Sequence, residues 1–344
     1  MTASAYKQVI AAPPRDRLDL FLATANRLGA PVGNIEKDFW VCWTLNALYH
    51  ERPPGGPRLL FKGGTSLSKA YGLIRRFSED IDITVFRDDL HEPASVEELE
   101  ALSNKKRRAR LDAIRDACRA YATGPLREFL AVQIADGAGR IEVDEADPDG
   151  QTLLVWYPEV EPRDGAYVRP VVRIESGAKS ALDPNGPVTI LPYISEEASG
   201  LDLAVGDVTT IEATRTFWDK MVIAYGLRRW YERRGVLRQE GQRVSRHYYD
   251  LHCLLASAVG KAALADRDLG ADCVRHARMF FDRPDYDLAS AAPGTFAIAP
   301  IDGMIDALHR DYENTTAMIF GTPPGFDEIL ASAAQIEAAM NRGD

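Results

Sequence analysis

Two neighbouring stretches, Phe61-Lys62-Gly63-Gly64-Thr65-Ser66-Leu67-Ser68-Lys69 and Arg76-Phe77-Ser78-Glu79-Asp80-Ile81-Asp82-Ile83, decide how the rest of this chain is read. The two glycines allow a tight turn and a close backbone approach to a ligand. The residues from Thr65 to Tyr71 then open a predicted helix, running to about Ile74, whose first N–H groups and positive dipole end attract phosphate. Before the turn, Leu59-Leu60-Phe61 reads as a short buried strand. After it, Ile81, Ile83 and Val85 alternate with Asp80, Asp82 and Thr84 at the period of a half-buried strand. Both aspartates then share one face. Paired hard oxygen ligands on a rigid strand suit Mg²⁺, and two such ions can clamp the attacking and leaving oxygens of an in-line phosphoryl displacement. Either half alone is commonplace, but strand, Gly-Gly-Thr-Ser turn, helix and Asp-x-Asp strand in that order read as a nucleotidyl-transfer site.

Working outward, 344 residues at 46% hydrophobic and 27% charged suit two domains, or one with a large appendage. No apolar run reaches the length of a membrane span, and the first residues lack the basic-then-apolar order of a signal peptide, so the expected compartment is the cytoplasm. Cys42, Cys118, Cys253 and Cys273 have no CxxC spacing, which argues against a zinc knuckle or a disulfide framework. A net charge of −10 disfavours non-specific affinity for nucleic acid. It hides two basic patches, however: Lys105 to Arg110, and Arg228, Arg229, Arg233, Arg234, Arg238, Arg243 and Arg246, interleaved with Trp230, Tyr231, Tyr248 and Tyr249.

Helices are predicted over 15–29, over 34–49 with Asn34 as N-cap, and over 95–122. Between about 125 and 210 short alternating segments (Ile141–Val143, Thr152–Tyr157, Val171–Glu175) predict strands. Glu175 on the last of these is a candidate third carboxylate, or an ordinary exposed strand Glu beside Arg173. From Ile211 onward the pattern is helical, giving expected domains of 1–210 and 211–344. Within it, Lys220 lies on a polar flank with Thr216, and its pattern alone suits a solvated lysine. Ser245 is the expected N-cap of a helix carrying Asp250 and His252, where an early acid commonly compensates the dipole.

The chain resembles the AbiEii/AbiGii-type nucleotidyltransferase toxins of abortive-infection toxin–antitoxin systems, to which the mycobacterial MenT toxins are related. The resemblance rests on Ile35-Glu36-Lys37-Asp38-Phe39-Trp40, on the two stretches quoted first, on Arg215-Thr216-Phe217-Trp218-Asp219-Lys220, on Tyr249-Asp250-Leu251, and on Met318-Ile319-Phe320 followed by Pro323 to Ile329. The fifteen residues between Gly64 and Asp80 are more than the general polymerase-β spacing but similar to this family's form. The resemblance implies an α+β fold, with a DNA polymerase β-like core (a mixed sheet flanked by helices) and a helical C-terminal region. It implies triphosphate binding at Gly63, Gly64, Thr65, Ser66 and Lys69, Mg²⁺ at Asp80 and Asp82 with Glu175, phosphate contact by Lys220, and a later essential acid at Asp250. It also implies transfer of a nucleotide from an NTP to the 3′ end of tRNA, and neutralisation by an antitoxin. Arg228, Arg229, Arg233, Arg234 and Arg238 are the expected RNA contacts. Three alternatives stay open: nucleotidylation of a protein, a catalytically idle binding module, and a two-metal nuclease.

Overall fold

The computed structural model describes residues 5–135, 137–160, 169–238 and 243–342. The chain divides into two compact units. The first takes in Met1–Ala70, Phe77–Ala94 and Lys105–Thr210; the second takes in Ile211–Asp344 together with two short stretches from the first half, Tyr71–Arg76 and Ser95–Asn104.

The first unit is built on a mixed sheet of β1 (Leu59–Lys62), β2 (Asp80–Val85), β3 (Arg140–Val143), β4 (Thr152–Trp156), β5 (Val171–Gly177), β6 (Asn185–Ile190) and β7 (Val205–Ile211), in the order β3-β4-β5-β2-β1-β7-β6. β1 runs antiparallel to β2 and parallel to β7, while β2 runs parallel to β5. Leu59, Leu60 and Phe61 are buried on both faces, as expected of a central strand, and Ile81, Ile83 and Val85 send their side chains into the core. Register sets the site: Lys62 pairs with Asp82, Asp82 with Glu175, and Asp80 with Arg173, so these charged side chains share one face of three adjacent strands.

Several predicted boundaries move. The Gly-Gly helix is only Gly63–Lys69, because the chain turns away through Gly72 in the left-handed region (φ 61°) instead of continuing to Ile74. Asn34 does not cap: its helix begins at Val32 behind Pro31, and Asn34 lies buried inside the first turn. The helix predicted over 95–122 breaks into Val96–Glu100 and Asn104–Tyr121, the first opened by a reciprocal capping box between Ser95 and Glu98.

The second unit is helical. Its long helix Ala213–Arg234 packs against Arg246–Ala256, Ala258–Ala265 and Arg267–Phe280, with Phe217, Trp218, Met221, Tyr225, Tyr249 and Leu254 in the core. Ser245 is not the cap predicted for Arg246–Ala256. It is itself in helical geometry, and it is held through its backbone N–H by Asp311 (2.7 Å) and through its hydroxyl by Thr315 (3.1 Å).

Candidate active site: paired aspartates beside a glycine turn

Asp80 and Asp82 emerge on the same face of β2, and the turn after β1 is shaped around the second of them. Gly63 sits at φ 82°, and a Cβ there would lie 2.0 Å from Asp82 Oδ2, so the absence of a side chain admits the carboxylate. The Lys62 ammonium stands 4.0 Å from the other oxygen of Asp82. Burial, followed by the neighbouring charges of Glu79 and Asp82, pushes the Asp80 carboxyl above its ordinary value, with Arg173 and Lys37 offsetting part of the effect. Two crowded carboxylates, one of them short of counter-charge, are a donor set that a hard divalent cation satisfies, so these residues fit Mg²⁺.

Glu175 stands across from Asp82, but its carboxylate is 3.5 Å from Arg173, which also pairs with Asp144 at 3.0 Å. Among the described residues, no three His, Cys, Asp or Glu side chains gather into a metal-binding group. The expected trio of Asp80, Asp82 and Glu175 is therefore a pair of aspartates with an acid held to one side by an arginine.

The turn also differs in detail from the expected phosphate cradle. The Thr65 hydroxyl bonds the Asp80 carbonyl and the Ser78 hydroxyl, and the Ser66 hydroxyl donates to the Gly63 carbonyl (2.8 Å); both side chains are fully buried. They lock the turn to β2, leaving backbone N–H groups as what they can offer a phosphate. Lys69 is corrected more strongly. Its ammonium lies 2.6 Å from Asp38 and 3.8 Å from the centre of the Tyr193 ring, almost wholly buried, because an ion pair and an aromatic face together compensate its lost hydration. Burial opposes its charge, yet Asp38 outweighs this and holds the proton more firmly than usual.

Sequence reasoning assigned no role to the helix Val32–Asn46, which braces this site. Lys37 reaches Glu79, beside Asp80, at 2.5 Å; Asp38 takes Lys69 and also accepts the Tyr193 N–H; Glu36 accepts the Val160 N–H. The available signal was three consecutive charges in an otherwise apolar helix, all of which are buried.

In the second unit, Lys220 and Asp250 do come together. Lys220 Nζ is 2.6 Å from Asp250 Oδ2, and Arg76 grips both oxygens of Asp250 at 2.8 and 2.9 Å. Asp250 is completely buried, so it is neither a dipole-compensating surface acid nor, for Lys220, a partner in a solvated flank. Burial alone would raise the Asp250 carboxyl, but Arg76 and then Lys220 hold it well below the usual range. The Lys220 ammonium is pushed down by burial, against the pull of Asp250 and with a further push from Arg76. Arg76 was quoted as part of a motif without a role; its signal was an arginine immediately before the Phe-Ser-Glu-Asp-Ile-Asp run.

The five arginines expected to contact RNA all have partners within the second unit. Arg228 and Arg229 bind Glu232, and Arg228 also binds the Ala299 carbonyl; Arg233 binds the Pro284 carbonyl, and Arg234 binds Asp285 at 2.6 Å. Arg238 stacks over the Trp230 and Tyr286 rings. Their aromatic companions Tyr248 and Tyr249 are buried. The basic aromatic pattern thus ties the long helix to the segments at 284–287 and 295–303, where an isolated pattern had read as an open RNA face.

Among the described residues no helix is long and apolar enough to cross a membrane. No curated protein matches the chain in sequence. Among solved structures, MenT4, a nucleotidyltransferase toxin from Mycobacterium tuberculosis H37Rv, aligns at 17% identity over 93% of this chain and 97% of that one, with a TM-score of 0.45. The family model of the nucleotidyl transferase AbiEii toxins of type IV toxin–antitoxin systems matches residues 46–332, which include the glycine turn, both aspartates, Lys220 and Asp250. With that match over most of its length, the chain belongs to the AbiEii nucleotidyltransferase toxin family.

Proposed function

We propose that this toxin transfers a nucleoside monophosphate from an NTP to the 3′ end of tRNA in a Mg²⁺-dependent reaction, acting in the cytoplasm under the control of a partner antitoxin. The observation that carries the reading is the pair Asp80 and Asp82 on one face of β2, with Gly63 opened to receive Asp82. Asp80 and Asp82 would hold the metal, with Glu175 the further acid on the same face. A Mg²⁺ ion held there would supply charge neutralisation at the phosphate being transferred and would acidify the attacking hydroxyl. Gly63, Gly64, Thr65 and Ser66 present backbone N–H groups to the triphosphate; within the second unit, Lys220 is the candidate phosphate cation, exchanging its contact with Asp250 for one to phosphate. The protein's own contribution is then positioning and charge neutralisation, with little proton transfer demanded of side chains.

The test incubates the full chain with Mg²⁺ and each radiolabelled NTP in turn, against total tRNA and against cell protein, with Asp80→Ala as control. Label entering tRNA and lost in the control supports the proposal. Label in protein alone moves the acceptor to polypeptide, and label in neither refutes nucleotidyl transfer to a common cellular acceptor.

A further inference from the structure

The second unit contains a cavity of about 460 Å³, within the range of small-ligand sites. It is formed by the segment around Arg75, by Tyr249, His252 and Cys253 of the helix Arg246–Ala256, and by the chain at Phe320 and Thr322. Its lining includes an arginine and a histidine and no carboxylate. The Arg75 side chain is exposed and, among the described residues, has no acidic partner. His252 uses Nδ1 on the Ser332 hydroxyl (2.8 Å), leaving Nε2 for another contact.

The wall behind this cavity is also over-supplied with positive charge. Asp250 is shared by Arg76 and Lys220, and Arg246 adds a third cation to the same field. Tyr249, Cys253 and Ala256 line the cavity, and Arg246, one turn before Tyr249 at the start of the same helix, continues their helical face beyond its edge. The half-buried His247 imidazole is correspondingly pushed toward its neutral form, by desolvation first and then by Lys220 and Arg246. In a chain of net charge −10, a local excess of cations with no acid in the lining calls for an anion from outside.

We propose that this cavity binds the phosphodiester backbone of the acceptor RNA, with Arg75 and Arg246 on phosphate and the half-buried Phe320 ring beside a base. The inference deepens the RNA-transfer reading above and rests on it. Phosphate could reach the cavity from RNA or from an NTP, and the lining favours RNA. A triphosphate carries Mg²⁺ and needs carboxylates to hold it, whereas a phosphodiester needs only cations, and an aromatic ring offers stacking to any unpaired base.

The test measures binding to the full-length protein by fluorescence anisotropy. One probe is a 5′-fluorescein single-stranded RNA decamer; the other is a set of mant-labelled nucleoside triphosphates. Because it needs no turnover, it separates this inference from the transfer reaction itself. Arg75→Gln with Arg246→Gln is expected to weaken RNA binding on the order of tenfold, and to lower the slope of log K against log salt by about 1.4, roughly 0.7 per lost contact on a single strand. Binding of the triphosphates should change less than twofold. Thr322→Glu, at an exposed lining position, should weaken RNA binding in the same direction, and Arg278→Gln, an exposed arginine outside the cavity and outside both basic patches, should change nothing. Unchanged RNA affinity and slope in both cavity variants would overturn the proposal, as would a wild-type protein that binds no RNA. A triphosphate affinity that falls as far as RNA affinity would give the cavity to the nucleotide instead. RNA binding that depends on Arg75 and Arg246 in a protein that labels no acceptor would uphold this inference while removing the proposed reaction.

Discussion

Replacing Asp250 by Asn keeps the shape of the side chain and removes the negative charge that Arg76 and Lys220 share. In the folded protein Asp250 is fully buried, with side-chain exposures of 6% for Arg76 and 7% for Lys220, and every charged contact lies between 2.6 and 2.9 Å. The variant therefore takes from two cations held out of water the counter-charge they share, a change that costs about 3–5 kcal/mol. Lys220→Met removes a cation that burial already disfavours and leaves the two-pronged Arg76–Asp250 pair intact, so its cost should be nearer the loss of one charged hydrogen bond, about 1–3 kcal/mol. The assay is hydrogen exchange of the amides in Arg246–Ala256, which reports the opening free energy of the second unit directly. The effect of Asp250→Asn corresponds to about two to nearly four decades in exchange rate. The pH dependence has a definite sign. Because the folded carboxyl is held below its unfolded value near 3.9, its stabilisation is fully present above that pH and is lost as pH falls below it, so the gap between wild type and Asp250→Asn should close in acid. An Asp250→Asn variant within about 1 kcal/mol of wild type, the value of an exposed ion pair, would refute the reasoning, as would Lys220→Met costing more than Asp250→Asn.

Gly63→Ala should abolish transfer by forcing Asp82 aside, and the left-handed backbone should add a stability loss of about 1–2 kcal/mol; transfer at the wild-type rate, measured with labelled NTP, would contradict the packing described. Lys69→Met should destabilise the first unit by about 3–5 kcal/mol by stranding the buried Asp38, while leaving the KM for NTP in the folded protein near wild type; a large rise in KM with unchanged stability would return Lys69 to the triphosphate. Reversing charge at Arg233 and Arg234 should cost under about 1 kcal/mol each, since both are substantially exposed, and should reduce RNA affinity less than the Arg75 and Arg246 pair does when measured by the same fluorescence anisotropy.

What the sequence determined by itself was local and periodic. The alternation of Asp80 to Val85, the two glycines before Thr65, the strands at 141–143, 152–156 and 171–175 and the helical texture after Ile211 could all be read from spacing, because a strand's two faces and a turn's need for glycine are properties of neighbouring residues. These features sufficed for the paired aspartates and the order of elements around them, while the fold class followed from the family resemblance. What only the tertiary structure decided was which charges are spent inside the protein. Lys69, Lys220, Arg228 and Arg234 look alike in sequence, each a cation on a helix. One is sealed against Asp38 and Tyr193, one is tied to Asp250, and two brace the long helix to the Ala299 carbonyl and to Asp285. Arg75, unremarked in sequence, is left with no acidic partner among the described residues. The fate of a long charged side chain depends on groups brought near it from distant parts of the chain, as Asp250 is to Arg76 across 174 residues, and no local pattern encodes that meeting.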